Sequence, residues 1–205
     1  MLVKKWHNYL ALALLIVAIA FPAWPEQSNL RATESLTPLD EYVAAPDESY
    51  KWELRHSHKG NGWTGYVLYM ASQTWLTEKE VDRPLWEHWL VILVPDKVES
   101  TTGFMMIGGG SNNGDMPKGA DANLRRCLKA TNTVCAQIHQ IPNEPLYFKD
   151  EDNKRRSEDS IIAYTWDKFM RTGDPKWPLR LPMTKAVVRA MDTVQAFCGS
   201  DAGGN

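Results

Sequence analysis

The stretch GFMMIGGGSN, residues 103–112, decides the fold class. Gly103 to Ile107 is a short apolar run stopped by three glycines, which reads as a buried strand entering a loop. Downstream, Ala120 to Ala130 (ADANLRRCLKA) spaces Leu124, Cys127 and Leu128 at i, i+3 and i+4, the spacing of a helix face, and Val134 to Ile141 then alternates as a strand up to Pro142. Strand, glycine loop, helix and strand in that order predict an α/β sheet with helices on both faces.

Working outward, Tyr50 to His58 and Tyr66 to Thr74 flank the turn signal Gly60-Asn61-Gly62 and predict a hairpin. Trp86 to Val94 (WEHWLVILV) is nearly continuously apolar, as a strand covered on both faces requires. Thr37-Pro38 opens a short segment ending at Pro46, read as a brief helix or turn, with Pro placed in the first turn. Ser157 to Thr172 begins SEDS, read as a cap with acids in the first turn, and stops at Gly173; Met183 to Phe197 forms a last helix. The charged run Lys149 to Glu158 reads as a solvated loop.

The 205 residues are 43% hydrophobic and 23% charged, which excludes collagen-like and wholly disordered chains. A formal net charge of −2 lacks the footprint of a nucleic-acid binder. Residues 1–24 carry Lys4 and Lys5, an apolar run from Leu10 to Phe21 and the A-x-A-like site Ala18-Ile19-Ala20, and so read as a secretory signal peptide. Cleavage removes two of the 23 basic residues against 25 acidic ones, which disfavours anionic membrane surfaces. The expectation is an exported protein, periplasmic or secreted, anchored only if the leader is retained. Residues 25–46 are read as a linker with a short segment, and 47–205 as the N-terminal part of an α/β domain. Of the three cysteines, Cys127 and Cys135 are close enough in sequence for a bridge, but three buried thiols are expected.

The chemistry rests on Gly108, Gly109, Gly110, Ser111 and Asn112. Glycines between a buried strand and a helix let backbone N–H groups approach a ligand, as in the oxyanion loop of α/β-hydrolases; a tight turn is the bland alternative. The loop satisfies neither G-x-G-x-x-G nor the P-loop pattern, so no nucleotide cofactor is implied. Ser111 has no evident base and is expected to cap the next helix. No catalytic residue emerges: Ser200 lacks the first glycine of a G-x-S-x-G elbow and follows a helix. His56 and His58 share a strand face without a third metal ligand, His88 reads as packed or hydrogen bonded, and His139 as facing outward. Glu158 and Asp159 suit a helix N-terminus better than a glycosidase pair.

Several stretches together resemble the exported PhoPQ-activated pathogenicity-related proteins of bacteria. They are TPLDEYVA (37–44), SQTWLTEKEVDRPLWEHWL (72–90), VPDKV (94–98), IGGGSN (107–112), QIPNEPL (140–146) and EDSIIAYTWDKFMRTGDPKWPLRLPMTKAVVRAMD (158–192). The resemblance implies an α/β-hydrolase-like fold under a sensor-kinase regulon linked to virulence and antimicrobial-peptide resistance. It also implies a Gly-x-Ser-Lys-Arg-Gly elbow shortly after the last helix, for which these residues offer no match. The sheet is therefore expected to lack its later strands and to expose an apolar edge, leaving at most binding of a small ester, amide or peptide ligand. The competing expectation is a non-enzymatic exported protein binding a peptide or envelope component, or a decayed truncated product.

Overall fold

The Thr37 hydroxyl and the Asp40 carboxylate cap one another's backbone N–H groups, and Pro38 opens the helix they cap, α1 (Pro38–Ala44). The computed structural model describes residues 35–200 and 203, so the leader read at residues 1–24 lies outside the described residues. The chain continues through β1 (Lys51–Gly60), β2 (Trp63–Thr74), β3 (Leu85–Pro95), β4 (Phe104–Ile107), α2 (Ala122–Thr131) and β5 (Cys135–Ile138). A small ribbon, β6 (Leu146–Tyr147) and β7 (Arg155–Arg156), precedes α3 (Asp159–Thr172) and α4 (Arg180–Cys198). No helix among the described residues is long and apolar enough to cross a membrane.

The main sheet has the order β1-β2-β3-β5-β4, antiparallel except for the parallel pair β4–β5 that α2 connects. The hairpin turns at Asn61-Gly62, where Gly62 takes φ +81, a conformation favouring glycine. Side-chain alternation divides the core in two. Leu68, Met70, Leu90, Ile92, Ala136 and Ile138 point to the face covered by α4 and α3. Val67, Val91, Leu93 and Cys135 point to the face where Leu124 and Leu128 of α2 pack. The fold is thus α/β with helices on both faces; each fully buried aliphatic side chain contributes about 1.5–3 kcal/mol. At the sheet edge β4 exposes Phe104 (44%) and Ile107 (59%).

Three details correct the sequence reading. The run 149–158 is not simply solvated: Arg156 in β7 grips Glu151 at 2.5 and 2.6 Å and lies 4.7 Å from the Tyr164 ring centre. The SEDS signal does not cap α3 through Ser157; Glu158 occupies the cap position at φ +42 with no side-chain bond, and the Ser157 N–H donates to Ser160 Oγ at 2.8 Å. The strand read to Ile141 ends at Ile138, because Gln140 turns left-handed at φ +62. The short segment read at Thr37 to Pro46 forms α1 and joins the core: the Tyr42 hydroxyl donates to Gln73 Oε1 at 2.8 Å and its ring packs against the core.

Candidate functional site

The glycine loop leaves the C-terminal end of β4 and lies against the segment that follows β5. The Gly108 N–H donates to Ile138 O at 2.8 Å, and the Gln140 and Ile141 N–H groups donate to Gly109 O and Gly108 O at 3.0 and 3.1 Å. Gln140 then serves as a clamp. Its Oε1 accepts from the Trp89 N–H at 3.0 Å and its Nε2 donates to Ser111 O at 3.3 Å. Asn112 fixes the far end, with its N–H on Glu144 O at 2.5 Å and its Nδ2 on Pro145 O at 2.8 Å.

The carbonyls of Gly108, Gly109 and Ser111 are therefore committed, whereas the N–H groups of Gly109 and Gly110 donate to no partner among the described residues. A Cβ on Gly109 meets nothing within 4 Å, so its backbone borders open space. At Gly108 a Cβ lies 3.3 Å from both Ile138 O and Gln137 Nε2, and Gly110 holds φ +137, so each of these positions favours glycine. Ser111 is exposed and does not cap α2; Asp121 does, accepting from the Asn123 N–H at 2.6 Å. The reason is distance along the chain, since ten residues separate Ser111 from that helix start.

The remaining singled-out residues do not join the loop into a triad. His56 and His58 stack at 6.0 Å, as their shared face requires, and His58 packs edge-on against Trp63 at 5.3 Å. Among the described residues no group of three or more His, Cys, Asp and Glu is placed to hold a metal ion. Cys127, Cys135 and Cys198 are free thiols, of which only Cys135 is fully buried; burial pushes its thiol up to about 12, with Cys127 adding to the effect. His139 stands beside the loop, its Nδ1 3.8 Å from where a Gly108 Cβ would sit. Burial holds it below the ordinary histidine range, and Asp121 pulls it partly back.

A family model described as PhoPQ-activated pathogenicity-related protein matches residues 39–202. The chain belongs to this family. A curated relative, "Autocrine proliferation repressor protein A" of Dictyostelium discoideum, is 46% identical over 171 residues, covering 82% of this chain and 34% of its own length. The PhoPQ-related chain thus spans about a third of the curated relative it matches. Two solved glucuronoyl esterase chains from Solibacter usitatus align at TM-scores of 0.41 and 0.32, with 11% and 12% identity, over 78% and 75% of this chain and 47% and 53% of theirs.

One buried group in this family member escapes a linear reading. The register of β2 on β3 skips Ser72, and this bulge turns its hydroxyl inward to donate to His88 Nε2 at 3.0 Å. The assignment follows from the other ring nitrogen: His88 Nδ1 lies 3.1 Å from His139 O, which only accepts, so Nδ1 carries the proton. Gln73 extends the network by donating to Ser72 Oγ at 3.3 Å and Pro182 O at 2.7 Å. Ser72 and His88 are almost fully buried, so this serine–histidine pair joins strands and meets no substrate.

Burial pushes His88 down to about 4 from its ordinary 6.5, against a smaller upward pull from the carbonyl of His139. A depressed histidine stabilises the fold fully above about 6.5 and loses that contribution as pH falls toward 4, an expected weakening of about 3 kcal/mol. Urea unfolding at pH 7 and pH 4 checks it. The drop should be markedly smaller in His88→Gln, which keeps a donor and an acceptor without a titrating ring; equal drops in both proteins refute the assignment.

Proposed function

We propose that these residues form the oxyanion-binding N-terminal part of an exported serine-hydrolase-like protein whose nucleophile, acid and histidine follow Asn205. The observation that carries the reading is the pair of adjacent N–H groups, Gly109 and Gly110, without partners among the described residues, at the end of a parallel strand. An ester or amide carbonyl gains negative charge on oxygen when attacked. Fixed backbone donors at that position stabilise the charge without reorganising, and loss of one such donor costs roughly 3–4 kcal/mol in a known protease. Family membership supports the hydrolase-like frame and the association with PhoPQ activation. Export is favoured by the leader at residues 1–24 and by the relative's name, since an autocrine factor acts outside the cell that makes it.

Reading the coding DNA past codon 205 is the direct test. An in-frame strand followed by a Gly-x-Ser elbow is the expected result, and the protein so encoded should hydrolyse short-chain nitrophenyl esters while the 205-residue chain shows no turnover above background. A stop codon at that point, or serine-dependent turnover by the 205 residues alone, overturns the proposal.

A further inference from the structure

Two thiols that the hydrolase reading leaves unused meet where α2 lies on the sheet. Leu124 and Leu128 are the buried residues of α2, and Cys127 packs half-buried against the same cluster. Cys135 opens β5 opposite Leu93, fully buried within that cluster. Between them the helix ends at Asn132, left-handed at φ +47, and the chain turns back through Thr133 and Val134 onto β5. This short return brings the two side chains together, and the Cys127 thiol hydrogen-bonds the Cys135 thiol. The Thr131 hydroxyl donates to Cys127 O at 2.9 Å and also reaches the Cys135 sulfur. Cys198 stands apart, since it packs against the cluster on the opposite face of the sheet.

We propose that Cys127 and Cys135 close a disulfide between α2 and β5 when the protein meets a small-molecule disulfide. The two thiols differ in access, and this sets the order of events. Cys127 is reachable from solvent, so its thiolate attacks one sulfur of the reagent, breaks the S–S bond and releases the first small thiol, which takes up a proton. Cys135 then gives up its proton and attacks the Cys127 sulfur, with the Thr131 hydroxyl placed to donate to the thiolate as it forms. The second small thiol leaves. Two protein thiols are thereby oxidised by two electrons, and one reagent disulfide is reduced to two thiols. The bridge ties down the connection that carries the candidate site, because the glycine loop leaves β4, enters α2 and returns along β5, which pairs with β4.

The bridge rests on the export reading only for its compartment, since disulfides persist outside the reducing cytosol. Oxidation of the purified full chain tests it without any esterase assay, so the two readings fail separately. The chain is incubated in native buffer with oxidised glutathione, alkylated in urea with iodoacetamide and digested with trypsin without reduction. The three cysteines fall on separate peptides, 127–129, 130–149 and 190–205, so each fate is read directly by mass. Linked peptides 127–129 and 130–149 are expected, lighter by two hydrogens than their sum and separated by dithiothreitol, with neither joined to peptide 190–205. Oxidation in urea should instead draw Cys198 into bridges. In Cys127→Ser, the buried Cys135 should stay unmodified in native buffer and be alkylated only in urea; this half-buried position also spares the core should Cys135→Ser fail to fold. Recovery of Cys127 and Cys135 both alkylated, both capped by glutathione, or joined to Cys198 in native buffer overturns the proposal. So does the same pattern of bridges in native buffer and in urea, because the fold then does not select the pair.

Discussion

Trp75→Ala is expected to lower the unfolding free energy by about 3–5 kcal/mol, a large share of the roughly 5–15 kcal/mol that holds an ordinary domain folded. Trp75 follows β2 and is 1% exposed. Its ring meets Trp86 edge-on at 5.8 Å, its backbone N–H donates to Pro84 O at 2.8 Å, and its Nε1–H donates to Lys176 O at 3.0 Å. One side chain thus joins the β2–β3 connection to the loop between α3 and α4. Truncation removes the apolar contacts and leaves a cavity that the surrounding aromatics cannot close without leaving their own contacts. Urea unfolding should show a lower midpoint at unchanged slope, the mark of lost stability with the same exposed surface. Trp75→Phe separates the two contributions, because it restores most of the ring and omits only the hydrogen bond, for an expected loss of about 1 kcal/mol beyond the packing change. A loss under about 1 kcal/mol in Trp75→Ala contradicts the anchoring role.

The aromatic richness that makes Trp75 costly to remove was legible in the sequence, and core packing accounts for much of it, with Trp86 fully buried and Trp63 and Trp177 nearly so. The sheet was legible where local pattern and burial coincide. Val91, Ile92 and Leu93 are apolar without interruption because alternate residues meet different covered faces, and Gly60-Asn61-Gly62 set the hairpin through a backbone need that only the turn satisfies. Ser72 was not legible, since one extra residue in a strand changes no periodicity but redirects every hydrogen bond around it. Arg156 was missed for a related reason. A charged residue reads as solvated until a partner five residues away and a ring on another element are known to converge on it. At the candidate site the glycines were readable as backbone requirements. The shelf formed by Gln140, Asn112 and Glu144 was not, because it depends on Gln140 adopting a left-handed backbone that nothing in QIPNEPL signals.

Gly109→Pro, made in the protein extended past Asn205, is expected to reduce kcat for ester hydrolysis by about 10²–10³-fold, the cost of one lost oxyanion donor. Proline removes the N–H and nothing else that the loop uses at this residue, since the Gly109 carbonyl still accepts from the Gln140 N–H. Gly109→Ala is the decisive companion. Alanine keeps the N–H, and its Cβ enters space with no atom within 4 Å, so near-parental turnover is expected. Gly110→Ala does not serve this purpose, because φ +137 strains any side chain and mixes backbone distortion with chemistry. The effect should fall on kcat more than on KM. In the proposed reading the donors meet charge that develops after attack, and a contact made only in the transition state leaves ground-state binding nearly unchanged. Equal losses in Gly109→Pro and Gly109→Ala would assign the loop a packing role, because then the shape of the turn and not its free N–H limits the reaction. Proline also restricts the residue before it, so the comparison is read at matched urea midpoints. With stability matched, the difference between the two variants reads the Gly109 N–H together with the local restraint that proline places on Gly108.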